Sequence, residues 1–238
     1  MNRKRVIILA GGKGTRLKPY TIVLPKPLMP IGEYPILEVI VRQLAWSGFS
    51  RITMAINQQA EIIKAYFGDG SKWGVAIDYS VENAPLGTMG PLKMIPDLPE
   101  NFLVMNGDIL TDIDFAAFYQ QHVENNCLFT ISAQMREHIV DYGVLNTNAL
   151  GMLVGFQEKP KNKYMVSMGI YMVNREILKF IPDNVPYGFD SLMLDLLEDK
   201  RLIKVQNYGG YWLDIGRPDD YIQAIDQFES MKSIFIHD

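Results

Sequence analysis

A glycine-rich and cationic segment near the start of the chain has residue types that could bind phosphate groups. It reads AGGKGTRLKPYTIVLPKP from Ala10 to Pro27 and directly follows the aliphatic run Val6 to Leu9. Glycines allow the backbone to approach a ligand closely and to point N–H groups at it. The residues that matter most for this interpretation are Gly11, Gly12, Gly14, Arg16 and Lys26. Close backbone approach together with cationic side chains predicts a polyphosphate site.

Two familiar phosphate-binding loops do not match this segment. A Walker loop needs G-x-x-x-x-G-K-[ST], and no arrangement of these residues supplies it. The dinucleotide fingerprint needs G-x-G-x-x-G opening a helix, but Leu17 stands where the third glycine should be and Pro19 disfavours an immediate helix. A purely structural turn stays open as an alternative, although Pro25-Lys26-Pro27 in the same loop argues against it.

The composition limits the classes of function. The chain has 238 residues, 48% of them hydrophobic, and a net charge of −4, which argues against a general nucleic-acid partner. Its single cysteine, Cys127, excludes an intramolecular disulfide and a cysteine-based zinc site; we expect it to be a small apolar residue in a strand.

No segment reaches the roughly 20 apolar residues of a membrane span, so we expect a cytoplasmic protein with no membrane partner. The histidines His122, His138 and His237 show no ligand spacing.

Strand-like and helix-like segments alternate along the chain. The expected strands are 6–9, 51–56, 75–81, 102–105, 127–134, 143–145, 154–158 and 168–173. The expected helices are 36–47, 59–67, 115–123, 175–180, 191–198 and 218–232. This alternation predicts a single α/β domain over residues 1–238, with a doubly wound, mostly parallel sheet. Ligands in such folds lie at the carboxyl ends of the strands, where the glycine loop and Asp108 would face each other.

With these residues in view, the chain resembles the sugar-1-phosphate nucleotidyltransferases, whose signature is L-A-G-G-x-G-T-R-L-x-P-x-T followed by P-K-P. Four later segments resemble, in order, the family's base-recognition segment, its metal-binding aspartate turn, its E-K-P sugar-phosphate motif and its second metal aspartate. They are Val81 to Thr88, Asn106 to Asp108, Phe156 to Pro160 and Trp212 to Gly216. The resemblance runs from Val6 to about Phe228 and implies a Rossmann-like fold similar to that of GT-A glycosyltransferases.

The resemblance implies transfer of a nucleoside monophosphate from a nucleoside triphosphate (NTP) to a sugar 1-phosphate, with release of pyrophosphate. The sugar phosphate oxygen would attack the α-phosphorus in line, a reaction that needs positioning and positive charge more than acid–base chemistry. Asp108 and Asp214 would hold Mg²⁺, which prefers one or two carboxylates plus phosphate oxygens. Arg16 would neutralise the pyrophosphate, Lys26 would contact the phosphates, and Lys159 would contact the attacking sugar phosphate.

The resemblance also implies which residues contact the two substrates. The nucleotide is expected to lie against Leu9, Ala10, Gly11, Gly12, Gly14, Thr15, Glu82, Pro85, Gly87 and Thr88. The sugar is expected to lie against Asn106, Gly143, Glu158 and Lys159. Because adjacent strand residues point to opposite faces, we interpret Glu158 as a binder of sugar hydroxyls rather than an ion-pair partner of Lys159. A plain turn at Gly143 stays open.

The base and the sugar are less well defined. Glu82 stands where the family reads the base, and a carboxylate suits guanine, which offers N1–H and an exocyclic amine as donors. The segment Ala84 to Leu92 resembles the mannose-1-phosphate guanylyltransferase branch, so GTP is favoured over UTP, CTP and dTTP. Met89 in that segment stands where a small residue is usual and could reshape the pocket. The sugar 1-phosphate would be that of a hexose or heptose.

Alternatives from other functional classes remain. A non-catalytic sensor would bind a nucleotide sugar and regulate a partner. A glycosyltransferase of similar fold would hold its metal on a D-x-D turn; Asp112-Ile113-Asp114 has that form, but we interpret it as the start of a helix. The left-handed β-helix of many relatives is not expected here, and the tail 228–238 would pack on a neighbouring subunit in a homodimer.

Overall fold

A computed structural model describes residues 4–12, 14–57, 60–82 and 84–236 of the chain. Its strands are β1 (Arg5–Leu9), β2 (Pro30–Ile31), β3 (Tyr34–Pro35), β4 (Arg51–Ile56), β5 (Ala76–Val81), β6 (Asn101–Asn106), β7 (Ile109–Thr111), β8 (Phe129–Ile139), β9 (Val144–Thr147), β10 (Leu153–Gln157), β11 (Lys161–Asn174), β12 (Ile203–Asn207) and β13 (Trp212–Asp214). Its α-helices are α1 (Ile36–Trp46), α2 (Ala60–Phe67), α3 (Phe115–Glu124), α4 (Phe189–Glu198) and α5 (Pro218–Phe235). Short 3₁₀ helices include Thr15–Leu17, Lys26–Leu28 and Arg175–Lys179.

The central sheet, in the described part of the chain, has seven strands in the order β12-β8-β11-β6-β1-β4-β5. Neighbouring strands are parallel except for β11, which is antiparallel to both β6 and β8. The mostly parallel mixed sheet predicted from the sequence is therefore confirmed. The aliphatic strand β1 lies inside the sheet between β6 and β4, which explains why its residues are apolar on both faces.

Helices cover both faces of the sheet, as a doubly wound fold requires. Alternate residues of β1 point to opposite faces: Ile8 belongs to the core that includes residues of α1, α2, α3 and α5, whereas Ile7 belongs to the core that includes residues of α4. The expected end of α1 is also confirmed. Gly48 adopts a φ of +81°, and the N–H groups of Gly48 and Phe49 return to the carbonyls of Ala45 and Leu44, the pattern of a Schellman cap.

The expectation that the tail packs on another subunit is wrong for the residues that the structure describes. Phe235 and Ile236 are 1% and 6% exposed and belong to the core on the α1 face. Phe228 lies so close to Gly32 that a Cβ on that glycine would be 2.8 Å from the phenyl ring. The last helix therefore packs on the chain's own N-terminal half.

Several other expectations need correction or fall outside the described residues. Cys127 precedes β8 instead of lying in it, and the segment after Asn174 is a 3₁₀ helix rather than an α-helix. Beyond residue 134, β8 and β11 continue together as a two-stranded arm, with Ile139 opposite Lys161. Among the described residues no helix is long and apolar enough to cross a membrane. Lys13, Gln59, Asn83 and His237 lie outside the described residues.

Candidate active site

A cleft of about 520 Å³ opens where β1, β4 and β6 end. The register places Leu9 beside Ala55 on one side and beside Asn106 on the other, so the three strand ends lie together. Over the described residues, the lining consists of Leu9, Ala10, Gly11, Gly12, Lys26, Pro27, Ala55, Asn57, Glu82, Pro85, Gly87, Thr88, Asn106, Gly107 and Asp108. Most of the residues expected to bind the nucleotide thus surround one cavity of ligand size. Gly14 and Thr15 are outside this lining.

The glycine loop is held by hydrogen bonds at both ends. The N–H of Gly107 donates to the carbonyl of Leu9 at 3.0 Å, which ties the start of the loop to the turn after β6. At the other end, the hydroxyl of Thr21 donates to the carbonyl of Gly14 at 2.6 Å. Gly14 has a φ of +58°, and a Cβ there would lie 2.9 Å from the Thr21 methyl group. Only glycine fits this position without a shift of its neighbours.

Lys26 and Asp108 form an ion pair on the floor of the cleft, with the ammonium donating to the carboxylate. Lys26 is only 9% exposed, and Leu28 of the same 3₁₀ helix belongs to the core on the α1 face. Asp108 follows β6 in a tight turn that begins at Asn106. The cation is therefore fixed beside the carboxylate by the fold and is not a mobile surface charge.

The second expected aspartate lies beside the first. Strand β13 pairs with β7 so that Asp214 is opposite Ile109, and the N–H of Ile215 donates to the carbonyl of Asp108 at 3.0 Å. Desolvation raises the pKa of Asp214 above its ordinary value, and the negative charge of Asp108 raises it further. The positive charges of Lys26 and Arg16 oppose this rise. The charges of Asp108, Lys26 and Arg16 thus all act on the carboxyl group of Asp214.

The donor set of this site fits Mg²⁺. Among the described residues, no group of three or more histidine, cysteine or acidic side chains could hold a metal ion. A metal here would have the two carboxylates of Asp108 and Asp214, leaving its other positions for phosphate oxygens and water. That is the coordination that Mg²⁺ prefers at sites of phosphate chemistry.

Arg16 approaches the same region from the glycine loop. A Cβ on Gly216 would lie 3.5 Å from both terminal nitrogens of the Arg16 guanidinium. The guanidinium therefore lies in van der Waals range of the residue that follows Ile215, next to the Asp214 segment. Because Lys26 and Arg16 both act on the same carboxylate, Asp214, the two cations are near enough to neutralise a bound polyphosphate together.

The expected base-recognition segment forms another part of the cleft wall. Glu82 accepts a hydrogen bond from the N–H of Leu86 at 3.0 Å through Oε2, while Oε1 faces Gly11. Burial raises the pKa of Glu82, and the bond from Leu86 partly offsets that rise. Gly87 has a φ of +78°, and a Cβ there would lie 2.7 Å from the carbonyl oxygen of Tyr187. The segment is therefore anchored to the residues before α4.

The residues expected to bind the sugar fall into two groups. Asn106 lines the cleft and packs against Gly169, where a Cβ would lie 2.6 Å from its Nδ2 atom. Gly143 lies against Glu158 at the base of the β9–β10 hairpin, since a Cβ on Gly143 would be 3.3 Å from Oε2. Within the described part of the chain, neither Gly143, Glu158 nor Lys159 lines the cleft. Strand β10 ends at Gln157, so the strand alternation assumed for Glu158 and Lys159 is wrong.

Comparison with known proteins decides the family. The family model described as nucleotidyl transferase matches residues 5–231. The chain belongs to the nucleotidyl transferase family. The resemblance to sugar-1-phosphate nucleotidyltransferases that the motifs indicated is thereby confirmed.

Individual members of the nucleotidyl transferase family resemble this chain over most of its length. A UTP–glucose-1-phosphate uridylyltransferase from Synechocystis is 35% identical over 93% of this chain and 62% of its own. A mannose-1-phosphate guanyltransferase from Yarrowia lipolytica is 34% identical over 92% of this chain and 62% of its own. The chain thus spans about 62% of the length of these curated relatives. The crystal structure of HddC from Yersinia pseudotuberculosis, complexed with GMP-PN, has a TM-score of 0.72 at 28% identity and covers 94% of this chain and 99% of its own.

Two interpretations of single residues in this nucleotidyl transferase can now be settled. Met89 is fully buried in the core on the α4 face and does not line the cleft, so it does not narrow the pocket. The D-x-D turn is a helix start: Asp114 caps α3 by accepting from the N–H of Ala117 at 2.9 Å. Asp112 accepts from the hydroxyl of Tyr208 and the N–H of Tyr211.

Asn57 is a cleft residue that the motifs did not indicate. It directly follows β4, and its Nδ2 donates to the carbonyl of Gly11. The signal available in the sequence was its position: ligands in such folds lie at the carboxyl ends of strands, and Asn57 is the first polar residue after one.

Proposed function

We propose that the chain, as a single nucleotidyltransferase domain, transfers a nucleoside monophosphate from an NTP to a sugar 1-phosphate and releases pyrophosphate. The observation that carries this proposal is the Lys26–Asp108 ion pair in a cleft lined by the glycine loop, with Asp214 held beside Asp108 by strand pairing. Such a grouping suits a reaction in which negative charge accumulates on phosphate oxygens and must be neutralised.

Each charged residue has a separate task in this proposal. Lys26 contacts the phosphates of the NTP, and Arg16 neutralises the pyrophosphate as it leaves. Lys159 lies outside the cleft lining, and its assignment to the phosphate of the sugar rests on the family resemblance alone. An oxygen of that phosphate attacks the α-phosphorus in line. Asp108 and Asp214 would hold Mg²⁺, which when bound supplies further positive charge to the phosphate oxygens. No side chain needs to act as a general acid or base, since the attacking phosphate oxygen is already ionised.

We propose GTP as the nucleotide, with UTP as the alternative. Glu82 uses one carboxylate oxygen for Leu86 and keeps the other facing Gly11 in the cleft, and guanine offers two adjacent N–H donors to such a group. A complex of HddC with GMP-PN and the Yarrowia guanyltransferase support GTP. The Synechocystis uridylyltransferase supports UTP, so the two nucleotides must be compared directly.

The decisive experiment measures pyrophosphate release over a grid of NTPs and hexose or heptose 1-phosphates with Mg²⁺. Release with one pair, lost in Asp108→Asn, supports the proposal and identifies both substrates. Asp114→Asn is the matched control, because asparagine caps a helix as well as aspartate does and activity should be retained. Tight binding of a nucleotide sugar without pyrophosphate release from any pair would instead support the sensor.

A further inference from the structure

The carbonyl oxygen of Gly11 is held by the side chain of Asn57. Asn57 lies at the carboxyl end of β4 and donates through Nδ2 to that carbonyl. A Cβ on Gly11 would lie 3.7 Å from the Asn57 Cβ and 3.4 Å from Oε1 of Glu82. Gly11 is therefore enclosed between an amide that binds its carbonyl and the carboxylate that faces the base subsite.

Fixing this carbonyl also fixes the next N–H group. A trans peptide is planar, so the C=O of Gly11 and the N–H of Gly12 point in opposite directions. The N–H of Gly12 therefore points away from Asn57. A Cβ on Gly12 would meet no atom within 4 Å, so the loop is open at that residue, and Gly12 lines the cleft.

The other end of the loop repeats the same arrangement. The Thr21 hydroxyl donates to the carbonyl of Gly14 at 2.6 Å. A carbonyl oxygen that faced the cleft would repel phosphate oxygens, whereas an N–H group that faces it attracts them. The Gly14 carbonyl also accepts from the backbone N–H of Leu17 at 2.9 Å, whereas Asn57 binds the Gly11 carbonyl through a side chain.

We propose that Asn57 is a positioning residue for the nucleotide: its amide holds the Gly11 carbonyl and so directs the Gly12 N–H towards the bound NTP. This inference rests on the proposed nucleotidyl transfer. Asn57 acts through the backbone of Gly11 and Gly12 and takes no part in the chemical step. Its removal should therefore weaken NTP binding and leave the sugar 1-phosphate unaffected.

The test compares Asn57→Ala with the wild-type chain. Because a lost hydrogen bond is worth about 1 kcal/mol, we expect the KM for NTP to rise about five- to tenfold. The kcat and the KM for sugar 1-phosphate should not change. Thr21→Val should raise the KM for NTP much less, because the N–H of Leu17 still donates to the Gly14 carbonyl at 2.9 Å and Gly14 lies outside the cleft lining. Equal NTP affinity in wild type and Asn57→Ala would overturn the proposal.

Asn174→Ala is the matched control. Asn174 also donates through Nδ2, in this case to Asn101 at 3.1 Å, and it lies at the end of β11 that is remote from the cleft. We expect a lower Tm and an unchanged KM for NTP. An Asn57→Ala variant that behaved in this way would show a merely structural role and overturn the proposal.

Calorimetric titration with GTP and with UTP separates this inference from the proposed function. If the wild-type chain binds a nucleotide but releases no pyrophosphate, the proposed transfer fails while the comparison of Kd values still tests Asn57. A Kd for the nucleotide that is five- to tenfold higher in Asn57→Ala would then support the positioning role. This change in Kd corresponds to about the free energy of one hydrogen bond. An unchanged Kd would overturn it.

Discussion

The backbone N–H of Ile215 donates to the carbonyl of Asp108 at 3.0 Å, which holds the neighbour of Asp214 directly against the first aspartate. Each aspartate belongs to a very short strand or to the turn before one, and the β7–β13 pair joins them. The spacing of the two carboxylates is therefore set by backbone hydrogen bonds. Side-chain substitutions can remove a carboxylate without moving the other.

Breaking the Lys26–Asp108 ion pair should reduce both activity and stability. In Asp108→Asn the nearly buried ammonium of Lys26 loses its counter-charge, so we expect a lower Tm together with a loss of activity of at least about 100-fold. The double variant Lys26→Met/Asp108→Asn removes both charges and should be more stable than Asp108→Asn but equally inactive. Thermal denaturation and pyrophosphate release measure the two effects. Additive losses of Tm would contradict the coupling.

Replacing Gly87 should destabilise the cleft wall. Gly87 has a φ of +78°, and a Cβ would lie 2.7 Å from the Tyr187 carbonyl, so Gly87→Ala combines backbone strain with a steric clash. Gly48 has a similar φ of +81° with nothing within 4 Å of the added Cβ. We expect Gly48→Ala to cost about 1 kcal/mol of unfolding free energy and Gly87→Ala clearly more. Urea denaturation measures both, and equal costs would contradict the clash.

The buried His122 should make the fold sensitive to mild acid. Its ring contacts Thr130 at 2.8 Å and Asn101 at 3.2 Å, and burial lowers its pKa to about 4, with a smaller contribution from Lys204. The unfolded chain, with a histidine pKa near 6.5, binds the proton first. The contribution of the neutral His122 to the free energy of unfolding is therefore complete above pH 6.5. That contribution is lost as the pH falls towards 4.

We expect the unfolding free energy of the wild-type chain to fall by roughly 2 to 3 kcal/mol more than that of His122→Gln between pH 7 and pH 4.5. Urea denaturation at the two pH values measures the difference. His138→Gln, at an exposed position of β8, is the control and should follow the wild-type chain. An identical pH dependence in His122→Gln and wild type would assign the acid sensitivity to other groups.

Glu82→Gln should change which nucleotide is preferred. The carboxylate only accepts hydrogen bonds and suits the two donors of guanine, whereas an amide both donates and accepts and so suits the N3–H and O4 of uracil or thymine. We expect the ratio of kcat/KM for GTP over UTP to fall about tenfold or more. The ratio is measured by pyrophosphate release with a fixed sugar 1-phosphate. An unchanged ratio would place base recognition elsewhere in the cleft.

The sequence predicted best those features in which a strand runs directly into a functional turn. The buried strands ending at Leu9 and Asn106 were visible as aliphatic runs, and the rule for strand ends brought the glycine loop and Asp108 together. Strands β7 and β13 were missed as elements, because three residues are too few to show a period of two. The pairing that joins Asp108 to Asp214 could therefore be inferred only from the family resemblance.

The two-stranded arm of β8 and β11 was underestimated for a different reason. Its residues beyond Gln134 are exposed on both faces and include Arg136, Glu137 and His138, so no apolar alternation marks them as a strand. In the β9–β10 hairpin the expected strands 143–145 and 154–158 differ from the observed ones by only one or two positions, which puts Glu158 just after the end of β10. The role of Met89 stayed open at the level of the sequence, because a buried position in the core on the α4 face cannot be distinguished there from a position that lines a pocket.

The packing of α5 on the N-terminal half also has a consequence for synthesis of the protein on the ribosome. Ile109 leaves the exit tunnel long before Leu213, and Phe228 and Phe235 follow later still, yet all four belong to the same core. Until they emerge, the nascent chain exposes the apolar surface around Gly32 and the unpaired edge of β7. Chaperones that shield such surfaces would therefore be engaged throughout most of translation.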